Sequence, residues 1–245
     1  MTPLEIILEA QKKPLTTEDG DADPLELAPP LSEDEISAFE AELPCKLPRE
    51  IRELLSHCRG FTGGATDFVD FTGKDCNFGQ EEVFPHGLPI AADGFGNFWV
   101  IDLLPTSKTW GPIYFACHDA PVILYQSPGL SHFLVELFKM SIPPRKSLVD
   151  DVHEDRLFHV WRKNPGVMSY DECIKSADSE LKSFATQLVP SFQIIDLRTP
   201  EIGFGFSWGR YGPNTVIRRH GNIPIFAYQK RVGIMERLFK RKGES

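Results

Sequence analysis

No run of this chain is long and apolar enough to cross a bilayer: a spanning helix needs ~20 apolar residues, and none of the runs approaches that. Residues 1–13 carry Glu5 and Glu9 inside an apolar pattern where a secretory leader would be uninterrupted, so a cytoplasmic protein that does not engage the membrane is expected. The five cysteines, Cys45, Cys58, Cys76, Cys117 and Cys173, are scattered, odd in number and never paired as CxxC. That excludes a disulfide framework and a zinc knuckle and predicts reduced, mostly buried thiols. There is no internal repeat. Gly60–Gly64 lacks the Lys-Ser/Thr of a phosphate loop and follows a predicted helix instead of a strand, so it reads as a helix stop. The acids Asp67, Asp70, Asp75, Glu81 and Glu82 lack the spacing of a calcium loop. No cofactor and no metal is expected.

What remains is an ordinary soluble composition, 41% hydrophobic and 25% charged over 245 residues, enough for one large domain or for two. The net charge of −9 is unevenly spread: residues 1–60 hold 6 basic and 14 acidic groups, 61–140 hold 3 and 9, and 141–245 hold 17 and 12. An acidic front repels nucleic-acid phosphate and attracts basic protein surfaces. The basic, aromatic-bearing stretch 209–242 is the one place where nucleic acid could be argued. Its cations fall where the solvated face and C-terminal end of a helix over 232–242 would place them, with docking against the acidic front as the other reading.

Residues 89–140 organise the chain. Three β-rich apolar runs, 98–103, 113–117 and 122–125, are separated by Gly and Pro and closed by a helix over 131–139, which predicts a meander covered by a helix. Asp93-Gly94 and Gly96-Asn97 tolerate positive φ and mark an exposed hairpin turn. Upstream, helices are predicted over 3–13, over 32–42 behind a Ser32/Glu35 capping box, and over 49–58 after Pro48. Between the first two, the acidic stretch 16–30 reads as a solvated linker; after the third, 67–71 reads as a short strand and 74–87 as a polar loop. Downstream, 148–163 is predicted helical and 169–188 is predicted as one helix behind a Ser169/Glu172 box, followed by strands over 193–197, 202–208, 215–218 and 223–228. Prolines near 30 and at 143–144 divide the chain into 1–30, a helix and linker; 31–144, a first domain; and 145–245, an α+β extension packed on it.

The chemistry-bearing clusters favour plain readings. Cys117-His118-Asp119 has the residue types of a nucleophilic set, but neighbours on a strand point to opposite faces and cannot converge. His57-Cys58 with Cys45 supplies too few ligands for zinc. The acids Asp67, Asp70, Asp75, Glu81 and Glu82, with Asp119, read as solvated surface or as contacts to a partner, and they are the candidate partner-binding residues; no catalytic residue is assigned. An enzyme using His220 with Arg218 or Arg219 in the extension is the alternative from another class.

Leu31-Ser32-Glu33-Asp34-Glu35-Ile36 with Phe39-Glu40, then Leu47-Pro48, Leu54-Leu55 and Gly60, resembles the start of the SUKH superfamily of fungal cell-wall-synthesis regulators and bacterial toxin-immunity proteins. The stretch Ile90 to Asp102, IAADGFGNFWVID, then Gly111-Pro112-Ile113-Tyr114-Phe115, His118-Asp119 and Ser131-His132-Phe133 continue the resemblance, which covers about 31–140. Arg59-Gly60 stands where members often carry Asn-Gly, and the apolar run at 121–126 is extra. The resemblance implies an α+β fold with a central, mostly antiparallel sheet flanked by helices. It also implies a non-enzymatic protein that binds a cognate effector, expected here to be a basic toxin such as a nuclease, or else a regulatory scaffold or adaptor.

Overall fold

The structure is a computed structural model that describes residues 1–64, 66, 68–74, 83–105, 110–209 and 215–229. Its helices are α1 (Pro3–Ala10), α2 (Glu33–Glu42), α3 (Arg49–Leu55), α4 (Leu130–Lys139), α5 (Leu148–Asp151), α6 (Leu157–Lys163), α7 (Tyr170–Ile174) and α8 (Ser179–Thr186), with a π-helical turn, Val152–Arg156, joining α5 to α6. The strands are β1 (Glu26–Leu27), β2 (Gly60–Thr62), β3 (Phe68–Asp70), β4 (Gly87–Ala92), β5 (Phe98–Asp102), β6 (Ile113–Cys117), β7 (Val122–Ser127), β8 (Met168–Ser169), β9 (Phe192–Asp196), β10 (Gly205–Ser207), β11 (Ile217–His220) and β12 (Ile223–Gln229). Among the described residues they form an eight-stranded sheet, β1-β2-β3-β4-β5-β6-β7-β10, and a four-stranded sheet, β11-β12-β9-β8. The fold is α+β, and the meander read from the sequence is its centre.

The period of two along a strand decides the layering. Trp99, Ile101, Phe115, Val122 and Leu124 point into one core with helices α1 to α6. Val100, Tyr114, Ala116 and Ile123 point the other way, onto Ile195, Leu197, Phe226 and Tyr228 of the second sheet. The far face of that sheet, with Ile194, Ile225 and Ala227, is covered by Cys173, Leu181 and Phe184 from α7 and α8. Helices, sheet, sheet and helices are thus stacked in four layers. A strand buried on both faces needs apolar residues at consecutive positions, which is why β6 reads Ile-Tyr-Phe-Ala-Cys without a polar break. Gly60 is required where β2 meets β3: a Cβ there would lie 1.9 Å from the Val69 carbonyl oxygen.

Several expectations change. The acidic stretch 16–30 is not a free linker: Leu15 is buried, Thr16 bridges Ala22, β1 pairs with β2, and Arg145 Nη2 donates to Thr16 Oγ1 at 2.7 Å and to the Thr17 carbonyl at 2.6 Å. Burying Leu15 and satisfying these backbone groups outweighs the charge on which the linker reading rested. The single helix over 169–188 is two, because Asp178 caps α8 by accepting from the amides of Glu180 and Leu181, both at 3.0 Å, and Ala177 is left exposed. In the stretch read as a polar loop, Val83 and Phe84 are buried against the second sheet. The helix expected over 232–242 lies outside the described residues.

Candidate partner-binding site

Strand pairing gathers two turns at one end of the large sheet. Phe68 pairs with Ala92, Phe98 with Ala116 and Ala116 with Ile123, so the 93–97 turn and the 118–121 turn are neighbours. Asp93 builds the first turn from within. Its Oδ1 accepts from the amides of Phe95 (2.9 Å) and Asn97 (3.2 Å), and its Oδ2 from Asn97 Nδ2 (2.6 Å). This is the side-chain-to-backbone bonding that makes Asp a turn former. Asn97 in turn accepts at Oδ1 from the amide of His118 at 2.9 Å, which ties the two turns together. Gly96, at φ +87°, lies so close to the His118 ring that a Cβ would come within 3.0 Å of it.

The third wall comes from far along the chain. His153, on the π-helical turn, places Nε2 3.2 Å from Asp93 Oδ2, and its ring lies against Phe115 and Trp99. Burial is the largest influence on the Asp93 carboxyl and would raise it, but the hydrogen bonds from His153, Asn97 and the Phe95 and Asn97 amides together hold it down at about 2. The same hydrogen bond to Asp93 raises His153 above its ordinary value, with burial opposing and Glu154 and Asp150 adding to the rise. The pair joins the turn to the helix layer, and each partner favours the charged form of the other.

Between the turns and α6 lies a cleft of about 440 Å³, floored by Leu157 and walled by Phe95, Phe158, Trp161, Asp119 and Glu154. Phe95 is 76% exposed and Phe158 48%, against the normal preference of such side chains for the interior. Asp119 and Glu154 are 73% and 64% exposed.

Of the residues proposed from the sequence, Asp70 and Asp119 are described, and they are not brought together. Asp119 stands at this cleft. Asp70 ends β3, three strands away from β6 in the sheet order, and it is buried: its Oδ1 accepts from the amide and hydroxyl of Thr72 at 2.8 and 2.7 Å, with Arg59 Nε 3.8 Å away. Asp67, Asp75, Glu81 and Glu82 lie outside the described residues. Cys117 is buried and its thiol is raised by burial, while His118 and Asp119 are exposed, so the three do not converge. Arg219 is also occupied, forming a two-pronged ion pair with Asp102 at 2.8 and 2.7 Å, with both side chains almost wholly buried; His220 faces Glu180 and stacks on Phe184. Among the described residues no group of three or more His, Cys, Asp or Glu side chains could hold a metal ion, and no helix is long and apolar enough to cross a membrane. The wall residues His153, Glu154, Phe158 and Trp161 escaped the sequence reading because nothing local links them to Asp93, 60 positions away; the only trace is aromatic side chains within a charged helical run.

Fold and cleft together define an α+β protein with an open, aromatic-lined cleft at one end of its large sheet. Residues 30–136 match the model of the SMI1 / KNR4 family (SUKH-1). The matched segment, under half of the chain, runs from the entry of α2 into α4 and includes the Asp93 turn and Asp119; the π-helical turn and α6 lie beyond it. No curated protein and no solved structure matches the chain.

Proposed function

We propose that the protein is an immunity-type protein that binds a basic effector, a nuclease or other toxin, and neutralises it by covering its active surface. The observation that carries this reading is Phe95: a large aromatic side chain held 76% exposed on a turn that Asp93, Asn97 and His118 lock from beneath. An exposed aromatic contributes little to folding, and a rigid one loses little entropy on docking, which is the profile of an interface anchor. The likeness of 30–136 to the SUKH-1 family and the acidic balance of the chain point the same way.

The test is co-expression with the product of the neighbouring gene, read as rescue from toxicity and as an isolable complex. Phe95→Ala is expected to speed dissociation by about tenfold or more. Asp119→Lys with Glu154→Lys is expected to slow association and flatten its salt dependence. Reversal of Asp67, Asp75, Glu81 and Glu82 forms a separate arm for the loop acids. If no neighbouring product forms a complex, the immunity reading falls and a regulatory scaffold takes its place. That second reading is favoured by residues 145–229, which lie outside the matched segment and add a second sheet with its own helical cover.

A further inference from the structure

Resting on the reading of the protein as a binder of a basic effector, we propose that the cleft between the 93–97 turn and α6 is a subsite for one cationic side chain of the partner, an arginine. Its walls are the aromatic rings of Phe95, Phe158 and Trp161 and the carboxylates of Asp119 and Glu154, with no lysine or arginine among the lining residues. Aromatic faces attract a cation through the ring quadrupole, and a planar guanidinium also stacks on them and sheds water more readily than an ammonium. Phe158 already accepts such a group: the Arg162 guanidinium lies 5.9 Å from its centroid.

The carboxylates have histidines as their charged neighbours. Among the described residues neither Asp119 nor Glu154 has a lysine or arginine partner; Asp119 faces His118 at 3.2 Å and Glu154 faces His153 at 3.4 Å. Arg156 is committed to a carboxylate outside the cleft, pairing with Asp151 at 3.1 Å. Asp93 belongs to the architecture and not to the ligand, since its oxygens are occupied by Asn97, Phe95 and His153. At about 440 Å³ the cleft stands at the small end of ligand sites, with room for a long side chain and its flanking backbone.

The experiment is an amide NMR titration of the full chain with N-acetyl-arginine amide, alongside the lysine and citrulline analogues. Citrulline keeps the shape of arginine without its charge. The expected result is saturable shifts confined to 93–97, 117–120 and 153–161, with arginine ahead of lysine and citrulline weaker by about tenfold. Asp119→Asn with Glu154→Gln, both exposed positions, should abolish that preference, and Phe158→Ala should reduce arginine binding while leaving the fold's spectrum intact. Shifts that never saturate, that lie elsewhere, or that are equal for citrulline overturn the subsite. Binding that emerges only when Lys240, Arg241 and Lys242 are neutralised would make this chain's own basic segment the occupant and overturn the assignment to a partner. The two readings fail separately: an effector complex indifferent to Asp119→Asn/Glu154→Gln removes the subsite and leaves the immunity function, whereas arginine binding without any effector complex does the reverse.

Discussion

At the scale of single residues, Asp93 and His153 bear most on the cleft, because one hydrogen bond between them holds both the turn under Phe95 and the π-helical turn behind the cleft. The Asp93 carboxyl titrates at about 2 in the folded protein against an ordinary 3.8, so its contribution to stability is complete above pH 3.8 and is lost as pH falls through about 2. His153 is displaced upward from 6.5, so its contribution is complete below pH 6.5 and is lost as pH rises through its folded value. Stability from the pair is therefore greatest between these limits. Asp93→Asn is expected to cost about 1–3 kcal/mol within that window, by leaving buried donors poorly satisfied, and to flatten the pH dependence on both sides. Urea melts at pH ~3, ~5 and ~8 check this, and a variant with the same pH profile as the parent would contradict it. The turn itself was legible in the sequence, since Asp-Gly and Gly-Asn encode it locally. The imidazole that completes it was not, because no local pattern pairs positions 93 and 153.

At the scale of elements, capping residues account for both the successes and the main error. Ser32 and Ser169 form complete capping boxes with Glu35 and Glu172 at the helix starts that the sequence indicates. The apolar spacing from Tyr170 to Leu188 also fits one continuous helix, but the chain leaves it after Ile174, Ser176 Oγ accepts from the Asp178 amide, and Asp178 starts α8 as its cap. Asp178 competes as a cap because Arg198 holds it, Nη2 to Oδ2 at 2.7 Å, while pairing with Asp196 on the adjoining strand end. That bond to Arg198 is also the leading reason the Asp178 carboxyl is lowered, followed by the Leu181 amide. Asp178→Ala is expected to lower the melting temperature by a few degrees and to fray α8, whereas Asp178→Asn, which still caps, should lose much less. Hydrogen exchange across Ser179–Thr186 separates the two, and equal protection in both variants would show that the cap is not what starts the helix.

At the scale of the whole molecule, the two sheets are joined by an apolar interface and, among the described residues, by an ion pair within it. Arg219 of β11 reaches Asp102 of β5, lies over the Phe226 ring at 5.3 Å, and donates to the Val83 carbonyl at 3.2 Å. β10 also leaves the second half of the chain to pair with β7, so residues 205–207 extend the large sheet. Arg219→Met alone is expected to cost about 3–5 kcal/mol by stranding the buried Asp102 carboxylate, and Asp102→Asn in the same chain should recover a substantial part. A double-mutant cycle by chemical denaturation measures this; additive losses would mean the pair contributes no coupling between the sheets.

The sequence by itself determined the elements whose signals are local: the capped helices, the Asp93 turn, the period-two strands of the meander, and through their order the α+β class and the SUKH-like segment. Tertiary structure decided which strand faces meet the second sheet, since both faces of β5, β6 and β7 are apolar and either could have met the helices. It also set Asp70 and Asp119 three strands apart and buried the first, although both are acids in the same acidic part of the chain. It brought α6 to the turn to form the cleft. Each of these depends on antiparallel register and on side chains far apart in the chain, and neither composition nor periodicity carries information about which distant residues pack together.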